Sequence, residues 1–116
     1  MVIEESYTQK NKMELTDDNF NAEVFQSDIP VFVELWASWC PPCKMMEPVM
    51  NSLEKQYAGK VKVCKINIDK NPETSAKFDV KGVPTFILVQ SGKIIDRAVA
   101  AKTEEQLKEM IKKVLE

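Results

Sequence analysis

Residues 30–50 read P-V-F-V-E-L-W-A-S-W-C-P-P-C-K-M-M-E-P-V-M, and this run decides the fold. Pro30 to Trp36 is β-branched and aromatic, of strand length, and apolar on both alternations except at Glu34. Such a strand is covered on both faces, as in a sheet lying between helices. From Pro41 the apolar residues fall at Met46, Val49, Met50, Leu53 and Tyr57. That spacing predicts a helix with one buried stripe, ending at Gly59 and kinked at Pro48. Cys40 therefore stands where a strand gives way to a helix. Pro41 and Pro42 fill the first helical turn, where N–H groups have no intrahelical partner and proline starts a helix instead of breaking it.

Working outward, Thr16 is a plausible N-cap for a short helix carrying Phe20, Val24 and Phe25, with Asp17 and Asp18 suiting its positive end. Val61 to Ile68 is a second strand. Asn71-Pro72-Glu73 starts a short helix, with Asn71 as N-cap, that ends near Phe78. Val83 to Val89 is a third strand, Ser91-Gly92-Lys93 a tight turn, and Ile94 to Ala100 a fourth strand, together a hairpin. Thr103 to Gln106 is a capping box in front of Leu107, Met110, Ile111, Val114 and Leu115. The order β-α-β-α-β-β-α, after a variable N-terminal piece, predicts an α/β fold. Parallel crossovers come first and an antiparallel hairpin closes a mixed sheet with helices on both faces. Residues 1–12 are polar and aperiodic and are expected to be a flexible extension, with a single domain over residues 13–116.

The composition narrows the function. The chain has 116 residues, 44% of them hydrophobic and 29% charged, with a net charge of -2. This is the balance of one soluble globular domain, and its scattered Lys and Arg give no footprint for nucleic acid. The N-terminus is acidic where a signal peptide is basic, and no stretch approaches membrane-spanning length. Three cysteines cannot make a disulfide framework, and an odd count fits a reducing compartment, so a cytoplasmic location is expected. Histidine is absent, which removes the commonest general base and nitrogen metal ligand.

Chemistry then concentrates on Cys40 and Cys43. Near a helix N-terminus the Cys40 thiolate is favoured, which makes it a nucleophile at neutral pH. Three positions on, Cys43 is close enough to close a disulfide with little movement and so to act as the resolving thiol. Attack by Cys40 on a target disulfide, followed by attack of Cys43 on the mixed disulfide, would release reduced target. Half a zinc site and a pair of inert core thiols are the competing readings. With no His and only Cys64 left over, a closed four-ligand site cannot be built from thiols within the chain, so no metal is expected. Cys64 itself alternates within an apolar strand and reads as a core residue, and Met45, Met46 and Met50 read as packing.

The segment Trp36 to Lys44 resembles the active-site segment of the thioredoxin family, usually W-A-x-W-C-G-P-C-K. Pro48 resembles that family's helix-kinking proline, Lys65-Ile66-Asn67-Ile68-Asp69 its central-strand segment, Gly82-Val83-Pro84-Thr85 its cis-proline loop, and Ser91-Gly92-Lys93 its hairpin turn. These landmarks run from about Met13 to Leu115.

The resemblance implies a thioredoxin fold and a cofactor-free oxidoreductase that reduces protein disulfides. Its partners would be disulfide-containing proteins and a thioredoxin reductase, and it would work as a monomer. It implies a cis Val83–Pro84 bond beside the cysteines, with Val83 pairing its backbone to a target strand. Trp39 and Val83 would form an apolar rim, and Pro41, Pro42, Pro84 and Ala100 would belong to the same binding surface. Glu34 matches a position that is usually Asp. Its burial should raise its pKa toward neutrality, where it can exchange a proton with Cys43, while a neighbouring Lys65 favours the ionised form. Pro41 and Ala100 each stand where the family generally has Gly. An oxidant or isomerase of the same fold, and a binding module whose cysteines are dispensable, are the alternatives.

Overall fold

The structure is a computed structural model that describes residues 13–115, so the expected extension at residues 1–12 lies outside the described residues. The apolar run Val31–Trp36 forms strand β2, buried over its first five residues, at the centre of a five-stranded sheet. Beside it on one side lie β3 (Lys62–Asn67) and then β1 (Met13–Leu15), both parallel. On the other side lie β4 (Thr85–Gln90) and β5 (Lys93–Val99), each antiparallel to its neighbour. The mixed sheet is the one the sequence implies, with a short edge strand, β1, added.

Period-two alternation sorts the strand residues onto two faces. Phe32, Val63, Phe86 and Leu88 pack with Met46, Met50, Leu53, Leu107 and Ile111, under helices α3 (Glu47–Gln56) and α5 (Glu104–Ile111). Val33, Leu35, Cys64, Ile66 and Ile87 pack with Phe20, Val24 and Phe78 on the opposite face. That layer belongs to α1 (Asp17–Phe20, continued by a π-helical turn over Asn21–Phe25) and α4 (Pro72–Lys77). Glu34 and Lys65 share the parity of Phe32 and Val63, so they face the α3 side, whereas Cys64 faces away from it.

The helix expected from Pro41 is two helices, α2 (Pro41–Met45) and α3, with the break at Met46. Pro48 explains the break, because it has no N–H to give the carbonyl of Lys44 and its ring crowds that carbonyl. The chain then turns at Gly59, whose φ is +84°.

Four expectations need correction. Met45 is not packing, since it is 72% exposed. The third strand begins at Thr85, after the cis peptide, and not at Val83. The hairpin turn is Ser91-Gly92 alone, both at positive φ, so Lys93 opens β5 and Ala100 falls beyond its end. Asn71 holds the N-cap position of α4, but its side chain makes no capping bond. Its side chain accepts from the Asp17 amide at 2.8 Å and donates to the Asn67 carbonyl at 2.8 Å. The cap comes instead from Asp17, which accepts from the amides of Glu73 (3.1 Å) and Thr74 (2.8 Å) and from the Thr74 hydroxyl (2.7 Å). The N-termini of α1 and α4 are thus tied together. The capping box read at Thr103 is formed with Gln106, and the N-cap read at Thr16 proves to be a capping box as well, with Asn19.

Among the described residues, no helix is long and apolar enough to cross a membrane.

Candidate active site

Strand β2 delivers Cys40 to the N-cap of α2 in extended backbone geometry. Its sulfur accepts the Cys43 amide at 3.1 Å. Pro41 and Pro42 have no N–H, so of the first three helical residues only Cys43 presents a donor to that sulfur. Cys40 and Cys43 are joined as a disulfide, with Cα atoms 5.3 Å apart. The pair is nearly enclosed, at 2% and 3% exposure, and packs with Ala37, Trp36, Ile68 and Val83. The surface around it belongs to others. Trp39 is 65% exposed, and Pro41 and Pro42 are exposed as well.

The Val83–Pro84 bond is cis, and Val83 touches the cysteine cluster. The Thr85 hydroxyl donates to the Gly82 carbonyl at 2.6 Å, and the Ala100 amide to the Pro84 carbonyl at 2.8 Å. Ala100 adopts φ +83°, in the left-handed region that glycine enters freely and alanine does not. Of the residues nominated for substrate binding, Val83 packs against the disulfide, and a backbone hydrogen bond joins Pro84 to Ala100.

Behind Cys43 lies a cleft of about 160 Å³, whose walls include Glu34, Trp36, Ser38 and Lys65. It is roomy and polar enough for water. Glu34 is 2% exposed and lies directly beside Lys65 in the sheet register. On the other side of Lys65, in the same row, is Glu14 of β1. The Lys65 ammonium lies 4.9 Å from the centre of the Trp36 ring and 3.9 Å from the Glu47 carboxylate. The Trp36 indole donates to the Glu14 carboxylate at 3.0 Å.

Glu14 and Glu47 escaped the sequence reading. Glu47 stands four residues after Cys43, a spacing that carries a usable signal. Glu14 gave none, because its place depends on a three-residue strand pairing across the chain. Cys64 lies on the other face, and burial pushes its thiol up to about 12. Among the described residues no cluster of three or more His, Cys, Asp or Glu is arranged to hold a metal ion.

A closed two-sulfur bond at a helix N-terminus, with a buried carboxyl group lining the adjoining cleft, can exchange electron pairs with another disulfide and move the accompanying protons. Comparison with known proteins points the same way. The family model described as Thioredoxin matches residues 11–113. Over 93 residues the chain is 44% identical to a thioredoxin of Pseudomonas aeruginosa, covering 80% of this chain and 86% of that protein. It is 41% identical to a thioredoxin of Alicyclobacillus acidocaldarius over 104 residues, 90% and 98% of the two chains. Thioredoxin 1 of Nostoc is 38% identical over 102 residues, 88% and 95% of the two chains.

Proposed function

The chain belongs to the thioredoxin family and is a dithiol–disulfide oxidoreductase, and we propose that it runs as a reductant of protein disulfides with Cys40 attacking and Cys43 resolving. The Cys40 thiolate attacks one sulfur of a target disulfide, forming a mixed disulfide and expelling the target's other sulfur as a thiolate. Glu34 accepts the Cys43 proton through the cleft. Cys43 then attacks the Cys40 sulfur, expelling the second target thiolate and closing the Cys40–Cys43 bond. Two electrons pass to the target, and a thioredoxin reductase returns them to the pair. Lys65 favours the ionised state of Glu34.

Target recognition is mainly by backbone. Val83 pairs with an extended segment, and Trp39, Pro41, Pro42, Pro84 and Ala100 form its apolar surround. Residues 13–116 act as one domain, monomeric and in the cytoplasm, where the poise favours reduction.

The observation that carries this reading is the Cys40–Cys43 pair seated at the N-terminus of α2 against Val83 of the cis-proline loop. The reduction potential, measured by thiol trapping in graded dithiol buffers, tests the direction. A value on the reducing side of about −200 mV supports it, and one near the roughly −120 mV of strong oxidants overturns it. Cys40→Ser separates turnover from binding. Disulfide-reducing activity should vanish, and its survival would assign the protein a different nucleophile.

A further inference from the structure

We propose that Glu47 is a positioning residue for proton transfer at Cys43, acting through Lys65. This inference deepens the role given to Glu34 and rests on it for its catalytic consequence. Glu14 and Glu34 flank Lys65 in the sheet register, and the Glu47 carboxylate reaches its ammonium from α3 at 3.9 Å. The Lys65 side chain is 13% exposed, so the position of its charge matters more than for a solvated lysine. Glu47, at 57% exposure, draws that ammonium toward the mouth of the cleft, while the Trp36 ring, tethered to Glu14, supports it from behind.

The geometry follows from the helix break. Met46 ends α2 and Pro48 restarts the chain, which makes Glu47 the first residue of α3. Glu47 and Glu34 therefore compete for the same cation. With Glu47 ionised, Glu34 has a smaller share of the Lys65 charge and holds a proton more readily; without Glu47, Lys65 shifts toward Glu34. The charged and titratable groups around the cleft are Glu34 of β2, Lys65 of β3, Cys43 and Lys44 of α2, Glu47 of α3 and, behind Trp36, Glu14 of β1.

The test is a double-mutant cycle on the full chain, with the pH profile of disulfide reduction as readout. Glu47→Gln should move the midpoint to lower pH by roughly half a unit, and Glu47→Asp should move it less. A bare loss of negative charge near Cys43 would give the same sign, so the cycle includes Lys65→Met. In that background Glu47→Gln should move the midpoint no further. An equal shift with and without Lys65, or no shift in either, overturns the proposal.

Trp36 emission in a Trp39→Phe background reads the grip on Lys65 independently of catalysis. It should change with Glu47→Gln, and an unchanged spectrum also counts against the proposal. Glu34→Gln separates the two claims. If it leaves the profile untouched while the Glu47–Lys65 coupling persists, the Glu34 reading fails and the positioning of Lys65 by Glu47 stands.

Discussion

The Ala100 amide donates a 2.8 Å hydrogen bond to the carbonyl of Pro84 while Ala100 itself is held at φ +83°. A residue just past the end of β5 thus fixes the cis-proline loop beside the disulfide, in a backbone conformation that costs an L side chain about 1 kcal/mol. Ala100→Gly should relieve this cost and return part of it as unfolded-chain entropy, for a net stabilisation of about 0.5 kcal/mol. Urea unfolding measures it, and a destabilised variant would contradict the account. The lost methyl group should also raise kcat/KM for a folded protein disulfide more than for a short peptide disulfide.

Asp17 couples the starts of two helices, and its titration should be visible in acid unfolding. Partial desolvation pulls its pKa up, but hydrogen bonds from the Thr74 hydroxyl and from the Thr74 and Glu73 amides prevail and hold it below 3.8. A depressed folded pKa gives stability that is fully present above the unfolded value and lost as pH falls through the folded one. Asp17→Asn should therefore lower the melting temperature at neutral pH and flatten the stability loss below about pH 4. An acid profile parallel to that of the unsubstituted protein would show that the cap does not carry this term.

Cys64 should be silent to alkylating reagents in the folded, reduced protein at neutral pH, because burial raises its thiol from 9.0 to about 12. A pKa raised on folding gives stability that is present below the unfolded value and lost as pH climbs toward the folded one. Cys64→Ala should weaken the fall in stability above about pH 9. Mass spectrometry after alkylation should find Cys64 unmodified in the folded chain, and a modified Cys64 would contradict the burial argument.

The parts of the fold legible in the sequence are those fixed by local pattern. The doubly covered run Val31–Trp36, the helix start at Cys40, the N-cap at Thr16 and the capping box at Thr103 depend on residues a few positions apart. What escaped depends on distant pairing. Strand β1 is three residues long and exists through its register with Cys64 to Ile66. Asn71 holds the N-cap position, but Asp17 supplies the capping acceptor and the Asn71 side chain ties the two segments instead. Met45 follows Met46 in type but lies on the outer side of α2. At the site, Cys40, Cys43 and Val83 were nominated and pack in one cluster. The ion pair of Glu47 with Lys65 was hidden, because it joins α3 to β3 across the chain.

Pro41 sets the donor count at the Cys40 sulfur. With both Pro41 and Pro42 lacking an N–H, the Cys43 amide is the one first-turn donor it meets. Pro41→Gly restores a donor and loosens the turn, which should stabilise the Cys40 thiolate and make the pair less reducing. Redox titration of the variant checks this, and an unchanged or more negative potential would count against it.

The central claim is that Cys40 attacks and Cys43 resolves, and trapping tests it most directly. Reduced Cys43→Ser and Cys40→Ser variants are each incubated with an oxidised protein substrate, and the adducts are mapped by mass spectrometry. A stable mixed disulfide through Cys40 is expected in the Cys43→Ser variant, and little or none in the Cys40→Ser variant. Equal trapping in both, or a predominant adduct through Cys43, would contradict it.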